Sequence, residues 1–164
     1  MPIVIRSITD QEITALYGVM MQSILQLGPR HYPMVCLEAW AGALPKPTHG
    51  LKEYILDGRW TFGAFDNDAL VGYADLTQKG YFEFMFVMPG HTGGAVSYQL
   101  IRALLNTAAK SSISEVTVRA SLALHGRLKS FGFENERMNT VERGGQILQN
   151  FSMKLRLGGK AMVP

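Results

Sequence analysis

The stretch YFEFMFVMPGHTGGAVSYQLIRALLNTAA, residues 81–109, decides the fold. Its first seven residues are apolar except at Glu83, which predicts one continuous strand that is buried on both faces. Pro89 ends this strand. After the glycine pair that follows, apolar residues recur with the spacing of one helix face, at Val96, Leu100, Ile101, Leu104, Leu105 and Ala108. The stretch therefore predicts a strand, a glycine-containing turn and a helix.

The turn between this strand and helix is a candidate anion site. Amide groups in the first turn of a helix lack intrahelical partners and carry partial positive charge. Small residues such as Gly93 and Gly94 let an anion approach those amides, so a phosphate or pyrophosphate suits the turn. A tight turn that needs glycine only for its backbone shape is the alternative. The lysine of the ATP-binding loop is absent between Gly80 and Ala109, and the glycine spacing fits a dinucleotide fingerprint poorly.

The N-terminal third of the chain is predicted to be mainly helical. Thr9 and Glu12 have the spacing of a capping box, and an apolar face continues from there to Leu27, before a Gly-Pro pair. The predicted elements are a short strand at residues 3–5 and helices at residues 9–27, 34–43 and 50–56.

Strand patterns surround the central stretch. Residues 59–65 and 69–77 are predicted to form a hairpin that continues into the central strand as an antiparallel meander, whereas residues 81–120 form a parallel crossover. A helix at residues 123–130 precedes a hairpin that turns at Arg143-Gly144-Gly145. In the last strand, the alternation of apolar and polar residues predicts that one face is buried and the other mostly solvent-exposed, with Ile147 on the buried face and Leu148 on the exposed one. The sheet is therefore mixed and the fold class α/β (α+β).

Length and composition indicate one domain, which we place at residues 1–157 with a loose tail at 158–164. Hydrophobic residues make up 47% and charged residues 18%, which excludes a disordered chain. No apolar run suits a membrane span and no signal-peptide core is seen, so we expect a cytoplasmic protein without a membrane partner. The net charge of +3 is scattered, which gives no indication of nucleic-acid binding. Cys36 is expected to be a buried structural residue, and no Cys/His spacing predicts a metal site.

The central stretch resembles the coenzyme A loop of the GCN5-related N-acetyltransferase (GNAT) superfamily. In that family a strand ending V-x-P is followed by Gln or Arg, two residues, Gly, one residue, and Gly or Ala. On this pattern Val87 and Pro89 match, Thr92 takes the Gln/Arg position, and Ala95 and Ser97 take the two glycine positions. The order of predicted elements agrees with the family along nearly the whole chain. ASLALHGRLKSFGF followed by TVERGG is similar to a bacterial subgroup of small proteins in it.

The resemblance implies a GNAT-like, mostly antiparallel sheet and acetyl-coenzyme A as the cofactor. It places the backbone amide of Phe86 or Val87 near the thioester carbonyl and gives Ser121, in the position of a common asparagine, a part in orienting the cofactor. The implied cofactor-binding residues are Phe86, Val87, Thr92, Gly93, Gly94, Ala95, Val96, Ser97 and Ser121.

Glu83 is the candidate general base, because it is the only ionisable residue in an apolar strand beside the implied cleft. The alternative is that it lies at the sheet rim or pairs with an arginine such as Arg119. Glu142 is a second carboxylate and a candidate for substrate binding, although a solvated turn charge is its plain alternative. His31 and Tyr32 lie where the family builds its acceptor pocket and are candidate substrate-binding residues, with packing or capping as the alternative.

The sequence departs from the family at the usual general acid. Many members carry a tyrosine four residues before a Gly-Phe pair, and here Gly132 and Phe133 match while the tyrosine position is Leu128. Solvent or Tyr98 would then protonate the leaving thiolate. The predicted function is acetyl transfer from acetyl-coenzyme A to a primary amine of a small molecule. The alternatives are a catalytically silent acyl-coenzyme A binding protein and an unrelated ligand-binding or structural domain. Since many members dimerise, a homodimer is also expected.

Overall fold

Two four-stranded sheets form the centre of the fold in the computed structural model, which describes residues 2–158. The first sheet has the order β1-β2-β3-β5 and is antiparallel throughout. The second has the order β4-β6-β8-β7 and contains one parallel pair, β4 with β6. The strands are β1 (Val4–Arg6), β2 (Trp60–Asp66), β3 (Ala69–Leu76), β4 (Tyr81–Phe82), β5 (Met85–Val87), β6 (Glu115–Ala120), β7 (Glu134–Arg143) and β8 (Gln146–Arg156). The predicted mixed α/β class is confirmed.

Five α-helices flank the sheets: α1 (Ile13–Gln22), α2 (Met34–Ala43), α3 (Leu51–Ile55), α4 (Ala95–Lys110) and α5 (Leu122–Ser130). Glu12 Oε1 accepts a hydrogen bond from the Thr9 N–H at 2.8 Å, in the turn that leads into α1. After α1 the helix widens to π geometry over Ser23–Leu27 and tightens again over Gly28–Arg30. None of the helices within residues 2–158 combines the length and the apolarity that a membrane span requires.

The apolar face predicted for α4 is confirmed. Every residue assigned to that face is buried, and they lie in one core cluster with the inner faces of both sheets. Gly72 of β3 approaches this helix closely, since a Cβ added there would lie 2.7 Å from a side-chain carbon of Val96. The tight contact fixes the N-terminal end of α4 against β3, next to the turn that follows β5.

The predicted continuous strand at residues 81–87 is wrong, because the chain changes sheets within it. Tyr81 and Phe82 pair in parallel with β6, whereas β5 pairs antiparallel with β3. At the break, Asp75 Oδ1 accepts hydrogen bonds from the backbone N–H groups of Glu83 at 3.3 Å and Phe84 at 3.0 Å. A side chain thus replaces a neighbouring strand as the partner of these two amides. As a result β5 and β6 diverge and leave an opening between the sheets.

At the start of β8 in the C-terminal hairpin, the buried face is the opposite of the predicted one. Its turn is Gly144-Gly145, both with positive φ, as the sequence predicts. Ile147 is 64% exposed and Leu148 only 6%, the reverse of the predicted faces. The reason is that α2 packs on the hairpin tip, where Cys36 Sγ lies 3.7 Å from the Ile147 carbonyl oxygen and is buried, as expected. The predicted tail at residues 158–164 lies outside the described residues except for Gly158.

Candidate active site

A cavity of about 310 Å³ opens where β5 and β6 diverge. Its walls come from the π-helical turn after α1, from β5, from the turn before α4 and from the start of α5. Seven of the predicted site residues line it: His31, Tyr32, Phe86, Val87, Thr92, Ser97 and Ser121. We call it the cofactor cavity. Gly93, Gly94, Ala95 and Val96 do not line it but form the adjoining turn and the first residues of α4.

The backbone of β5 presents one free edge to this cavity. The Met88 N–H donates to the Val71 carbonyl at 2.9 Å and the Phe84 carbonyl accepts from the Asp75 N–H at 3.2 Å. Because hydrogen bonding alternates along an antiparallel pair, even-numbered residues of β5 face β3 and Val87 faces the open edge. Of the two predicted amides, that of Val87 is therefore the available one. Phe86 contributes a buried ring that packs against Trp40 with centroids 6.4 Å apart.

The turn before α4 presents the free amides of a helix N-terminus. Gly94 adopts a left-handed conformation, with φ of 101°, and its carbonyl accepts the first helical bond, from the Tyr98 N–H at 2.9 Å. The amides of Ala95, Val96 and Ser97 precede that bond and have no partner within the helix. The Ser97 hydroxyl donates to the Gly94 carbonyl at 3.1 Å. The turn therefore offers backbone donors to an anion, in the geometry that the sequence predicts.

Basic side chains surround the cofactor cavity. The guanidinium groups of Arg30 and Arg127 and the imidazoles of His31 and His91 line it, and no aspartate or glutamate among residues 2–158 does so. The guanidinium of Arg127 lies against the turn, since a Cβ added to Gly94 would lie 2.6 Å from its Nη2 atom. Arg127 makes no ion pair with a carboxylate of the described chain. This charge arrangement suits a polyanion.

Sequence reasoning missed Arg30, His91 and Arg127 as residues of this cavity. For Arg127 a signal existed, because it follows Ala123 by four residues and helical spacing puts both on one face of α5. For His91 none existed, because its partner is distant in sequence: Nε2 lies 3.1 Å from Asp66 Oδ2. Its Nδ1 atom is buried without a hydrogen-bond partner among the described residues. A polar group of a molecule bound in the cavity would be a suitable partner for this atom.

A second cavity of about 210 Å³ adjoins the first and shares Tyr32, Trp40 and Ser121 with it. We call it the acceptor cavity. Glu83 lines it, with its side chain 32% exposed, and Glu83 Oε1 accepts a hydrogen bond from Arg59 Nη1 at 3.2 Å. Glu83 thus faces a cavity, as the general-base prediction requires, and is also ion-paired with an arginine, as the alternative has it, although the partner is Arg59 and not Arg119. The remaining lining comes from the second sheet and the break in the central strand: Tyr81, Phe84, Arg119, Val141, Arg143, Leu148, Gln149 and Asn150.

Tyr32 and Ser121 lie at the boundary of the two cavities. The Tyr32 hydroxyl donates to the Gln149 carbonyl at 2.7 Å and accepts from the Leu122 N–H at 3.0 Å. Burial raises the pKa of this hydroxyl, which therefore stays protonated at neutral pH. Ser121 caps α5, where its Oγ accepts from the Leu124 N–H at 3.3 Å and retains its own proton for donation. Tyr32 thus connects the start of α5 to β8 across the boundary, and Ser121 fixes the first turn of α5.

Three other candidate residues lie away from the cavities. Glu142 is exposed and lines neither cavity, because it alternates along β7 with Val141 and Arg143, which face the acceptor cavity. Leu128 is fully buried in the core. Tyr98 lines neither cavity, and its ring packs on Phe131 with centroids 5.3 Å apart. Within residues 2–158, no group of three or more His, Cys, Asp or Glu residues is placed to hold a metal ion.

Comparisons with known proteins agree with this geometry. Residues 7–156 match the family described as the acetyltransferase (GNAT) domain. YafP of Escherichia coli (strain K12), an uncharacterized N-acetyltransferase, is 24% identical over 160 residues, which are 93% of this chain and 95% of YafP.

Solved structures of similar fold cover almost the whole chain. A GCN5-related N-acetyltransferase from Rhodopseudomonas palustris superimposes with a TM-score of 0.87 at 26% identity, over 96% of this chain and 97% of that one. The PaiA N-acetyltransferase from Thermoplasma acidophilum, crystallised with coenzyme A, shares the fold with a TM-score of 0.75 at 17% identity, over 95% and 99% of the two chains. Since the residues matched by the family extend from before α1 to the end of β8, they include every strand except β1 and the turn before α4, and the chain belongs to the acetyltransferase (GNAT) family.

Proposed function

We propose that this protein transfers an acetyl group from acetyl-coenzyme A to a primary amine of a small molecule. The observation that carries the proposal is the free edge of β5, which opens into a cavity lined by Arg30 and Arg127 and by no carboxylate of residues 2–158. That cavity adjoins a second one at Tyr32 and Ser121. Two adjoining cavities give room for a cofactor and an acceptor whose reacting atoms meet at the boundary.

The residues around the cofactor cavity fit coenzyme A. We assign its pyrophosphate to the free amides of Ala95, Val96 and Ser97, with Arg127 and the Thr92 hydroxyl beside them. Gly93 leaves the approach open, because a Cβ added there meets no atom within 4 Å. When bound, acetyl-coenzyme A supplies an acyl group that is activated as a thioester.

The Val87 amide is assigned to the thioester carbonyl. A backbone N–H that donates to this oxygen stabilises the negative charge that develops on it during attack by the amine. The reaction forms a bond between the amine nitrogen and the carbonyl carbon and breaks the carbon–sulfur bond. One proton leaves the nitrogen and one proton is taken up by the thiolate sulfur, so the chain must accept or relay the first and allow delivery of the second.

We assign the first proton to Glu83, directly or through one water. Its carboxylate lines the acceptor cavity while one oxygen accepts from Arg59, which holds the side chain in a fixed orientation. Arg59 is itself held by Asp57 and Asp75, and its side chain is only 5% exposed. A base fixed in this way does not need to reorganise when the acceptor binds.

The second proton is assigned to solvent. Leu128 occupies the position of the usual tyrosine and lies fully in the core, so it offers no proton donor to the sulfur. This same observation favours a second candidate function, a catalytically silent protein that binds acyl-coenzyme A.

Two measurements test the proposal. Isothermal titration with acetyl-coenzyme A should give saturable binding, and an absence of heat at millimolar cofactor would remove both candidate functions. A panel of primary amines, with detection of the released thiol, then separates the two. Thiol release that depends on one amine supports the transferase, whereas tight cofactor binding without release for any amine supports the silent binder.

A further inference from the structure

Two arginines on the acceptor cavity have no carboxylate partner. Arg119 of β6 and Arg143 of β7 both line the cavity and are exposed, and neither takes part in an ion pair within residues 2–158. The Arg143 guanidinium donates to the carbonyl of the preceding residue, at 2.8 Å. Among the described residues Glu83 supplies the single carboxylate on the cavity, and it is already paired with Arg59.

Strand register places the two arginines on the same face of the second sheet. Arg119 is opposite Ser152 of β8, and Asn150 lies on the same face two residues away along β8. Val141 is opposite Leu148, so Arg143 shares this face as well. Ser121 follows the end of β6 directly, two residues after Arg119, and therefore lies within about 7 Å of it along the chain, at about 3.3 Å per residue.

Tyr81 of β4 lines the same cavity as Arg119 and Arg143 and is half-buried. Burial raises the pKa of its hydroxyl and the Glu83 charge adds to the rise, whereas the positive charges of Arg119 and Arg143 lower it. One phenol hydroxyl and two guanidinium groups therefore belong to the lining of one cavity. An anionic group at this position would meet two cations and a phenol donor.

We infer that the acceptor carries an oxyanion, a carboxylate or a phosphate, in addition to its amine, and that Arg119 and Arg143 bind this group. The inference rests on the proposed transferase function. With the oxyanion at the two arginines, the amine is directed toward Glu83 and Ser121, at the boundary where the thioester is assigned. The same two cations repel acceptors that carry a second positive charge, so diamines and polyamines are disfavoured.

Matched acceptors test this inference. The panel contains straight-chain amino acids with one to five methylenes, the corresponding aminoalkylphosphonates, alkylamines of equal length and diamines. The acids or phosphonates are expected to exceed the alkylamines in kcat/KM by about tenfold or more, the effect of a charge-assisted hydrogen bond at an exposed site. The ranking of carboxylates against phosphonates identifies the oxyanion.

Substitutions then assign the preference to the residues. Arg119→Gln and Arg143→Gln should each reduce the ratio of kcat/KM for the anionic acceptor over its alkylamine by about tenfold. Arg156→Gln, the matched control at the far end of β8, should leave that ratio unchanged. Titration of the best anionic acceptor into the protein loaded with coenzyme A should show weaker binding for both variants, a readout that does not depend on turnover.

The outcomes separate this inference from the function on which it rests. If alkylamines and diamines release thiol as efficiently as the acids and phosphonates, the inference fails while the transferase function stands. If neither arginine variant changes the ratio, the inference fails in the same way. If no amine of any charge releases thiol, both fail together.

Discussion

Asp75 Oδ1 accepts a hydrogen bond from the backbone N–H of Phe84 at 3.0 Å, at the point where the central strand changes sheets. Asp75 is fully buried, and its other oxygen accepts from Arg59 and from the Tyr73 hydroxyl. A charged side chain therefore satisfies a backbone amide that a regular strand would have paired with its neighbour. This contact holds the opening between β5 and β6 on which the proposed cofactor site depends.

Removal of the Asp75 carboxylate should strongly destabilise the fold. Asp75→Ala leaves the backbone amides of Glu83 and Phe84 and the Tyr73 hydroxyl without their acceptor, while Arg59 keeps Asp57 and Glu83. For the loss of these acceptors we expect a decrease of about 3 kcal/mol or more in the free energy of unfolding. Asp75→Asn should cost less, since an amide oxygen can still accept from both N–H groups. Urea unfolding measures both changes. The control is Asp57→Ala, which breaks an ion pair to the same arginine at a side chain that is 42% exposed and should cost about 1 kcal/mol or less.

The stability of the protein should depend on the protonation of Asp75. Burial raises the pKa of this carboxyl to about 6, above its ordinary value of 3.8. A folded-state pKa above the unfolded value means that the folded protein binds the proton more tightly. The resulting stabilisation is complete below about pH 4 and is lost as the pH rises through 6, by on the order of 2–3 kcal/mol.

The measurement is urea unfolding of the wild type and of Asp75→Asn between pH 4 and pH 8. The stability of the wild type relative to the variant should decline across this range. A difference that stays constant, or that grows with pH, would show that Asp75 is not the group responsible. Asp57 behaves in the opposite way. Its hydrogen bonds to Arg59 lower the pKa of its carboxyl, so its contribution to the stability of the fold is lost as the pH falls.

Local patterns in the sequence predict most of the elements, and contacts between distant residues account for the differences. The face of α4 follows from its own periodicity because helix spacing needs no other part of the chain. The break after Phe82 could not be predicted, since its cause is the side chain of Asp75 on another strand. The reversed exposure of Ile147 and Leu148 has the same origin, because the packing of α2 on the hairpin determines which face of β8 is buried.

The candidate site shows the same division. The motif and the strand pattern predict that Val87 and the turn before α4 belong to the site. Which of the Phe86 and Val87 amides is free depends on the pairing of β5 with β3, which the sequence does not give. The pairing of Glu83 with Arg59 joins residues 24 positions apart, and periodicity carries no information about such a contact. Arg59 was for this reason absent from the predicted site.

Gly93→Glu should abolish binding of coenzyme A while the protein stays folded. The position has space for a side chain and no positive φ, so the fold should tolerate the change, yet the new carboxylate would repel a pyrophosphate at the turn. Gly42→Glu is the matched control, because Gly42 is exposed in α2 and has equally open surroundings. Calorimetry measures affinity and thermal unfolding measures stability. Wild-type affinity in a folded Gly93→Glu protein would contradict the placement of the pyrophosphate.

We expect a homodimer formed through the edge of the second sheet. β7 is the outer strand in the order β4-β6-β8-β7, and it carries Met138 with its side chain 57% exposed. An unpaired edge with an apolar side chain is suited to association with a second copy. Light scattering should give twice the 18.1 kDa of one chain, and Met138→Lys should shift the mass to that of the monomer. A monomeric wild type at the highest concentration measured would rule out this assembly.

Glu83→Gln tests the proposed general base. The glutamine is nearly isosteric and keeps an oxygen that can accept from Arg59, so the ion-pair network loses a charge but not its geometry. Affinity for coenzyme A should therefore stay at the wild-type level, because Glu83 lines the acceptor cavity and not the cofactor cavity. Turnover should fall by about 10²-fold or more, because the amide cannot accept the amine proton.

The control for Glu83→Gln is Glu142→Gln, which removes a carboxylate from the exposed face of β7, away from both cavities. If Glu83 is the base, the Glu142 variant should turn over at the wild-type rate. If instead the Glu83 variant keeps its rate and the Glu142 variant loses it, Glu142 and not Glu83 accepts the proton of the amine. Such a result would also show that β7 rearranges when the acceptor binds, because strand alternation directs the Glu142 side chain away from the acceptor cavity.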